Sequence, residues 1–496
     1  MRNRSSSYIY RWGSLALSLL AVILTVLQLV QYSRSRQYYP LGMTIAGVPV
    51  GGLDPEAARQ RLLRIYSVPV ELYYGESIIH LDPGLVGFEL NLESMLAAAD
   101  LERSGSPFWS GFWDYLWNRE PIPSEIPFAS SVSEERLRNY LINEIAPRYD
   151  VPPIPPQPIA GSTQYLPGQP GQSLDIERAI ILIDDALRSA TSRVVILTTQ
   201  EISAGRPGLS NLKVLLQQII RANTFIGIAG IYMLDLQTGE EIHFGYRGGE
   251  DISVEPDIAF SASSTIKIPI MTSVYLYFNG QLDEKTAELM LNMIQKSINA
   301  SSDTLMDLLD PTRGPLVVSE NMKILDLENT FLAGYFCSEE DPCPPLKLFN
   351  TPANTRADVT TYPEIYNQTT PSDMGTLLAD IYQCAEYGGG ALMVSFPGQL
   401  TSSACAEMIE YLKEDQIGVL IQSGVPEGTA VAHKHGWTTY GGIIQDVSDA
   451  AIVYTPGGDY VLSIYVYEEQ IIWNNISLLY AELSRAVYNY YNMPIE

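Results

Sequence analysis

The sequence predicts an α/β chain. Its C-terminal part reads as a three-layer domain, an antiparallel sheet with helices on both faces plus a helical insert, and a transmembrane helix and two small α+β modules precede it. Three observations carry this reading. Residues 209–222 have helical apolar spacing, and a hairpin follows over 228–236 and 240–244 around Gln237-Thr-Gly239. The end of the chain repeats the theme with strands at 450–455 and 460–467 around Pro456-Gly-Gly458-Asp, then a helix from about 473 to 491. Near the start, residues 12–30 carry no charge and are mostly Leu, Ala, Val and Ile.

As a helix, 12–30 would span roughly 28 Å, close to a bilayer core. Arg2, Arg4 and Arg11 precede it, and Arg34 and Arg36 follow. The bias favours a cytoplasmic N-terminus, a single pass through the cell membrane and an extracytoplasmic remainder. No small-x-small cleavage site closes the segment, so an uncleaved anchor is expected. The expected divisions are 1–38 for the N-terminus and anchor, 39–145 for a first module, 146–207 for a Pro-rich linker and second module, and 208–496 for the large domain.

The two modules are read from a degenerate repeat. Leu53-Asp54-Pro-Glu56-Ala-Ala58 and Leu174-Asp175-Ile-Glu177-Arg-Ala179 both fit Leu-Asp-x-Glu-x-Ala. A helical pattern and then a strand pattern, 68–74 or 194–199, follow each. Asp54 and Asp175 suit the N-cap, and Pro55 suits the first helical position. The repeat resembles small peptidoglycan-binding modules of bacterial surface proteins, which implies the cell wall as a partner. Between the copies, Phe108-Trp-Ser-Gly-Phe-Trp-Asp-Tyr-Leu-Trp117 holds three of the six tryptophans. A membrane-interface role is one reading, and a packed core or domain contact is the expected one. The Pro-rich residues 146–158 are expected to be an extended, stiff linker.

The balance of 30 basic against 57 acidic residues argues against nucleic acid or anionic lipid as a partner. Four cysteines lie in the second half, and proximity favours Cys337–Cys343 and Cys384–Cys405 pairs in an oxidising compartment. Neither their spacing nor any other motif indicates a metal site. No phosphate-cradling or dinucleotide-binding loop is present, so no cofactor is expected.

The chemistry is read from Ser264-Thr-Ile-Lys267. A serine hydroxyl needs a base, and residues three apart on a helix share a face. Two partner motifs follow in order, Ser297-Ile-Asn299 and Lys434-His435-Gly436-Trp437. This series resembles the active-site serine superfamily that includes class A β-lactamases and penicillin-binding D,D-peptidases, over about 208–496. The resemblance implies a β-lactamase/transpeptidase-like fold and a β-lactam or peptidoglycan stem-peptide substrate. Ser264 would be the nucleophile and Lys267 its base. Ser297 would pass a proton to the leaving nitrogen. Asn299 would bind a substrate amide, and Lys434 would hold a carboxylate and polarise Ser297. The N–H groups of Ser264 and Trp437 would form the oxyanion hole, and His435, Gly436 and Trp437 would line the substrate site.

Three departures from the class A pattern stand out. Ile298 replaces an acid. His435 replaces a hydroxyl residue, yet can still donate one hydrogen bond to a substrate carboxylate. For the deacylating glutamate the candidate is Glu364, in Tyr362-Pro-Glu364-Ile-Tyr-Asn367, with its Asn one position early, and Asp358 is the other candidate. Hydrolysis of β-lactams is the leading expectation. D,D-peptidase action is the alternative, and an acylated protein that does not turn over, binding the wall or sensing β-lactams, is a third.

Overall fold

The computed structural model describes residues 5–119, 125–337, 343–416 and 418–493. They form two compact units, one of 1–154 with 170–203 and the other of 155–169 with 204–496.

The first unit begins with helix α1 (Ser5–Ser35), whose segment Tyr10–Ser35 is long and apolar enough to cross a membrane. Helix α2 (Pro55–Tyr66) starts as expected, with the Asp54 carboxylate accepting from the Ala57 N–H. Strands β1 (Val70–Tyr74) and β2 (Ser77–Leu81) form a hairpin. Helices α3 (Leu92–Ser104), α4 (Phe108–Leu116) and α5 (Glu134–Tyr140) follow. In the second copy, α6 (Ile176–Arg188) is capped by Asp175, and β3 (Val194–Ile196) follows.

Here the expectation of two separate modules is corrected. β3 lies parallel to β1 in one three-stranded sheet, with Val195 beside Leu72. Ala58, Leu62 and Leu72 share a single core with Ala179, Ile183 and Val195. Each copy offers one amphipathic helix and one short strand, too little apolar area to close a core alone. The linker is corrected too. Ala146–Tyr149 is helical and continues α5 through a π turn at Leu141–Ile145. Beyond it, Val151 bridges Gln172, and Gln157–Pro158 pairs with Tyr165–Leu166. The aromatic run forms α4, and it is not a packed core throughout. Phe112 is buried, but Trp109, Trp113 and Trp117 are 67%, 60% and 66% exposed.

The second unit has the expected layers. Helix α7 (Leu209–Ala222) and the closing α14 (Trp473–Tyr491) lie on one face of a six-stranded sheet. Its strands are β4 (Ile228–Asp235), β5 (Glu241–Arg247), β6 (Glu250–Ile252), β7 (Val431–Tyr440), β8 (Ile443–Val453) and β9 (Tyr460–Tyr467), in spatial order β6-β5-β4-β9-β8-β7 and antiparallel at each pairing. Every residue of β9 is buried. Leu462, Ile464 and Val466 point to the α7–α14 core, while Val461, Tyr465 and Tyr467 point to the other. A strand covered on both faces loses the polar alternation of a half-exposed one.

The second core belongs to the insert, α8 (Lys267–Tyr277), α9 (Glu284–Gln295), α10 (Asn299–Leu309), α11 (Gly314–Ile324), α12 (Pro371–Tyr387) and α13 (Ser402–Lys413). Both expected disulfides are present, and Cys384–Cys405 ties α12 to α13. Edge strand β7 and the start of α8 come together beside the loop between α9 and α10, and the sequence motifs meet there.

Candidate active site

Ser264 sits in a 3-10 turn, Ser263–Ile266, that runs directly into α8. From Lys267 to Leu276 every residue of α8 is buried, so a helix apolar on all sides carries the lysine into the interior. The three-residue step returns Lys267 Nζ to 3.0 Å from Ser264 Oγ. The same nitrogen lies 2.8 Å from Ser297 O, 3.0 Å from Ser297 Oγ and 2.8 Å from Asn299 Oδ1. Ser297 Oγ donates to Ser264 Oγ at 2.9 Å. Ser264, Ser297, Lys267 and Asn299 thus form one closed hydrogen-bonded cluster.

Ser297 has φ +57°, a left-handed conformation that costs a non-glycine residue about 1–3 kcal/mol. It occupies the sharp link between α9 and α10, and that link aims both its oxygens at Lys267. Asn299 opens α10, and its Oδ1 accepts from the lysine.

Among the described residues no carboxylate bonds Lys267. Burial, and after it the nearby Lys434 charge, pull the amine down to about 7, against weaker pulls from Asp303 and Asp415. The Phe336 ring centre stands 5.3 Å from Nζ. Its loop is held because Asp303 on α10 accepts the N–H groups of Phe336 and Cys337.

Strand β7 forms the facing wall. Gly436 is required there, because a side chain would collide with the Ser264 backbone nitrogen. Trp437 is 41% exposed and stacks on His435 at 5.4 Å. Lys434 is fully buried, and its Nζ donates to Asp415 Oδ2 at 3.0 Å. It makes no hydrogen bond to Ser297 among the described residues, so the expected polarisation of Ser297 is not seen. Its charge reaches the site instead through Lys267. His435 is turned with Nδ1 2.7 Å from Asp415, and burial pulls its pKa down, so the ring is neutral near pH 7. Burial opposes the Asp415 charge, but His435 and Lys434 outweigh it and hold the carboxylate at about 2. Asp415, His433 and His435 bring ligand atoms within 4.8 Å of one another. The Lys434 ammonium already bonded to that carboxylate opposes a cation there.

Among the described residues Glu364 makes no hydrogen bond to Ser264, Lys267, Ser297 or Asn299. Its carboxylate accepts from Asn367 Nδ2, its N–H is bonded to Ser261 Oγ, and its charge acts on Asp446. Burial pushes it up to about 7. Asp358 is an exposed partner of Arg356 at 2.5 Å, and that contact holds it at about 2. Sequence reasoning missed Asp415, Asp303 and Phe336. Asp303 was findable, four residues after Asn299 on one helix face. Asp415 lies 19 residues from its lysine and had no local signal.

A family model described as the β-lactamase enzyme family matches residues 279–491. The match includes Ser297, Asn299, Glu364 and Lys434, and it begins after Lys267. The β-lactamase/transpeptidase-like architecture expected of this part of the chain is borne out. No curated protein sequence matches. Among solved structures, PBP-A is similar at 20% identity, 58% of this chain, 100% of that chain and a TM-score of 0.42. An ancestral class A β-lactamase is similar at 20% identity, 56% and 99% coverage and a TM-score of 0.41. A β-lactamase from Sphaerobacter thermophilus is similar at 17% identity, 58% and 99% coverage and a TM-score of 0.41.

Proposed function

We propose that the second unit is an acylating serine hydrolase that accepts β-lactams and releases the acyl group slowly, as a penicillin-binding D,D-peptidase would. The observation that carries the reading is the contact set Lys267 Nζ–Ser264 Oγ–Ser297 Oγ, at 3.0 and 2.9 Å, with a lysine near pKa 7. Neutral Lys267 takes the Ser264 proton as the oxygen attacks the carbonyl carbon. The N–H groups of Ser264 and Trp437 receive the oxyanion. On collapse the C–N bond breaks, Ser297 gives its proton to the leaving nitrogen, and Lys267 returns a proton to Ser297. Asn299 Nδ2 binds the substrate amide. Lys434 supplies positive potential for a substrate carboxylate, and His435 and Gly436 shape the strand that carries it.

Slow release is supported by the hydrogen bond from Asn367 that the Glu364 carboxylate accepts, and by the Phe336 ring beside the amine. β-Lactam hydrolysis is the second reading; the raised pKa of Glu364 beside Asn367 favours it, since such a group can serve as a base near neutral pH. The apolar α1 and the two disulfides support an anchor in the membrane with the catalytic unit on the extracytoplasmic side. The repeat in the first unit supports a cell-wall contact.

Fluorescent penicillin tests the reading. Label should attach to the native protein, persist for many minutes and be absent from Ser264→Ala. Label lost within seconds would favour hydrolysis, and no label at all would end the acylation scheme. Release of D-alanine from a stem-peptide mimic would mark the peptidase.

A further inference from the structure

The α4 tryptophans are the largest aromatic feature that the proposed chemistry leaves unused. Phe108, Phe112 and Tyr115 face one way, and their ring centres lie 5.4, 5.6 and 5.3 Å from that of Tyr32 near the end of α1. Gly111 is a glycine because the Tyr32 hydroxyl rests against it. Arg36 Nη2 donates to Ser104 O and Ser106 O at 3.3 and 3.2 Å, and its guanidinium lies 5.7 Å from the Phe108 ring centre. Helix α4 is therefore fixed against the last turn of α1, where the sequence passes from apolar Val30 to Gln31, Tyr32, Ser33 and Arg34. Trp109, Trp113 and Trp117 recur every four residues on the outward face. If α1 spans a bilayer, Tyr32 lies at headgroup level, and so does the helix packed on it.

We propose that the Trp109–Trp113–Trp117 face of α4 lies in the headgroup region of the phospholipid bilayer crossed by α1, as a second, interfacial anchor. Tryptophan combines a large apolar ring with an N–H donor, which suits a layer that is apolar on one side and wet on the other. Two attachments would fix the orientation of the first unit on the membrane, where a lone spanning helix leaves rotation about its axis free.

The proposal rests on the reading of α1 as membrane-spanning, and the test separates the two. Single cysteines are placed at Trp113→Cys, Val22→Cys and Leu101→Cys in the full chain and spin-labelled in phosphatidylethanolamine–phosphatidylglycerol liposomes. Among the described residues the native cysteines are all in disulfides. Power saturation then compares access to lipid-soluble oxygen with access to a water-soluble nickel chelate. The label at 113 should show a several-fold higher oxygen-to-nickel ratio than the label at exposed 101, and the label at 22 a higher ratio still. Nickel access at 113 equal to that at 101, with 22 in lipid, overturns the proposal alone. Shielding of 113 from both reagents overturns it in favour of a protein contact. Nickel access at 22 removes the membrane-spanning reading itself.

Discussion

Two lysines are buried in the same unit, and their surroundings treat them in opposite ways. Among the described residues Lys267 meets neutral oxygens, those of Ser264, Ser297 and Asn299. Lys434 meets the Asp415 carboxylate at 3.0 Å with neither side chain exposed. Burial works against the charge of both. At Lys434 burial lowers the pKa and the bonded Asp415 carboxylate opposes it, while Lys267, with no carboxylate bonded among the described residues, is pulled to about 7. One residue type thus sits in two different settings, one beside neutral oxygens and one ion-paired, and the Lys434 charge further depresses the Lys267 pKa.

The comparison can be broken most directly at its base. Lys267→Ala should slow acylation by fluorescent penicillin by about 10²- to 10⁴-fold, the usual range for a positioned proton acceptor. Lys267→Arg should be no better, since a guanidinium stays protonated. A rate within a few-fold of native would remove the lysine from the mechanism.

At the other lysine, Asp415→Ala leaves a buried ammonium without its counter-ion. Denaturant melts should show a loss of about 3–5 kcal/mol. Unchanged stability would mean that Lys434 reaches water or another partner in solution.

The pH dependence sharpens the contrast. Lys267 must be neutral to accept a proton, so acylation should rise with pH through a midpoint of about 7 and then level off. At pH 6 the rate should be about a tenth of the plateau, as expected for one essential base. A flat profile between pH 5.5 and 8.5 would contradict the assignment.

The smallest expected effect is at Phe336. Phe336→Ala lets water reach the amine and should move that midpoint upward by a fraction of a unit, with folding intact. A downward shift would show that the ring does not shield Lys267.

Much of this was legible beforehand because it is local. Residues 209–222 and 473–491 were expected as helices, and Leu209–Ala222 and Trp473–Tyr491 are helical. Asp54 and Asp175 cap their helices through bonds to residues three positions on. The Ser264–Lys267 contact was also visible as a three-residue step. The β8 strand was only half seen: the expected 450–455 overlaps the end of Ile443–Val453, whose first part mixes apolar residues with Gln445, Asp446, Ser448 and Asp449. Glu364 was an expected site residue from its neighbours in sequence, and its carboxylate accepts from one of them, Asn367.

The sequence by itself determined the helix periods and caps, the spacing of the serine and its lysine, and an N-terminal helix apolar enough for a bilayer, since each is a relation among residues a few positions apart. Tertiary structure decided that the two repeat copies share one sheet through Val195 and Leu72, that Asp415 rather than Ser297 receives Lys434, and that three tryptophans face outward. Those outcomes depend on which distant surfaces exclude water together. Desolvation and charge pairing act through space, and no local pattern records them.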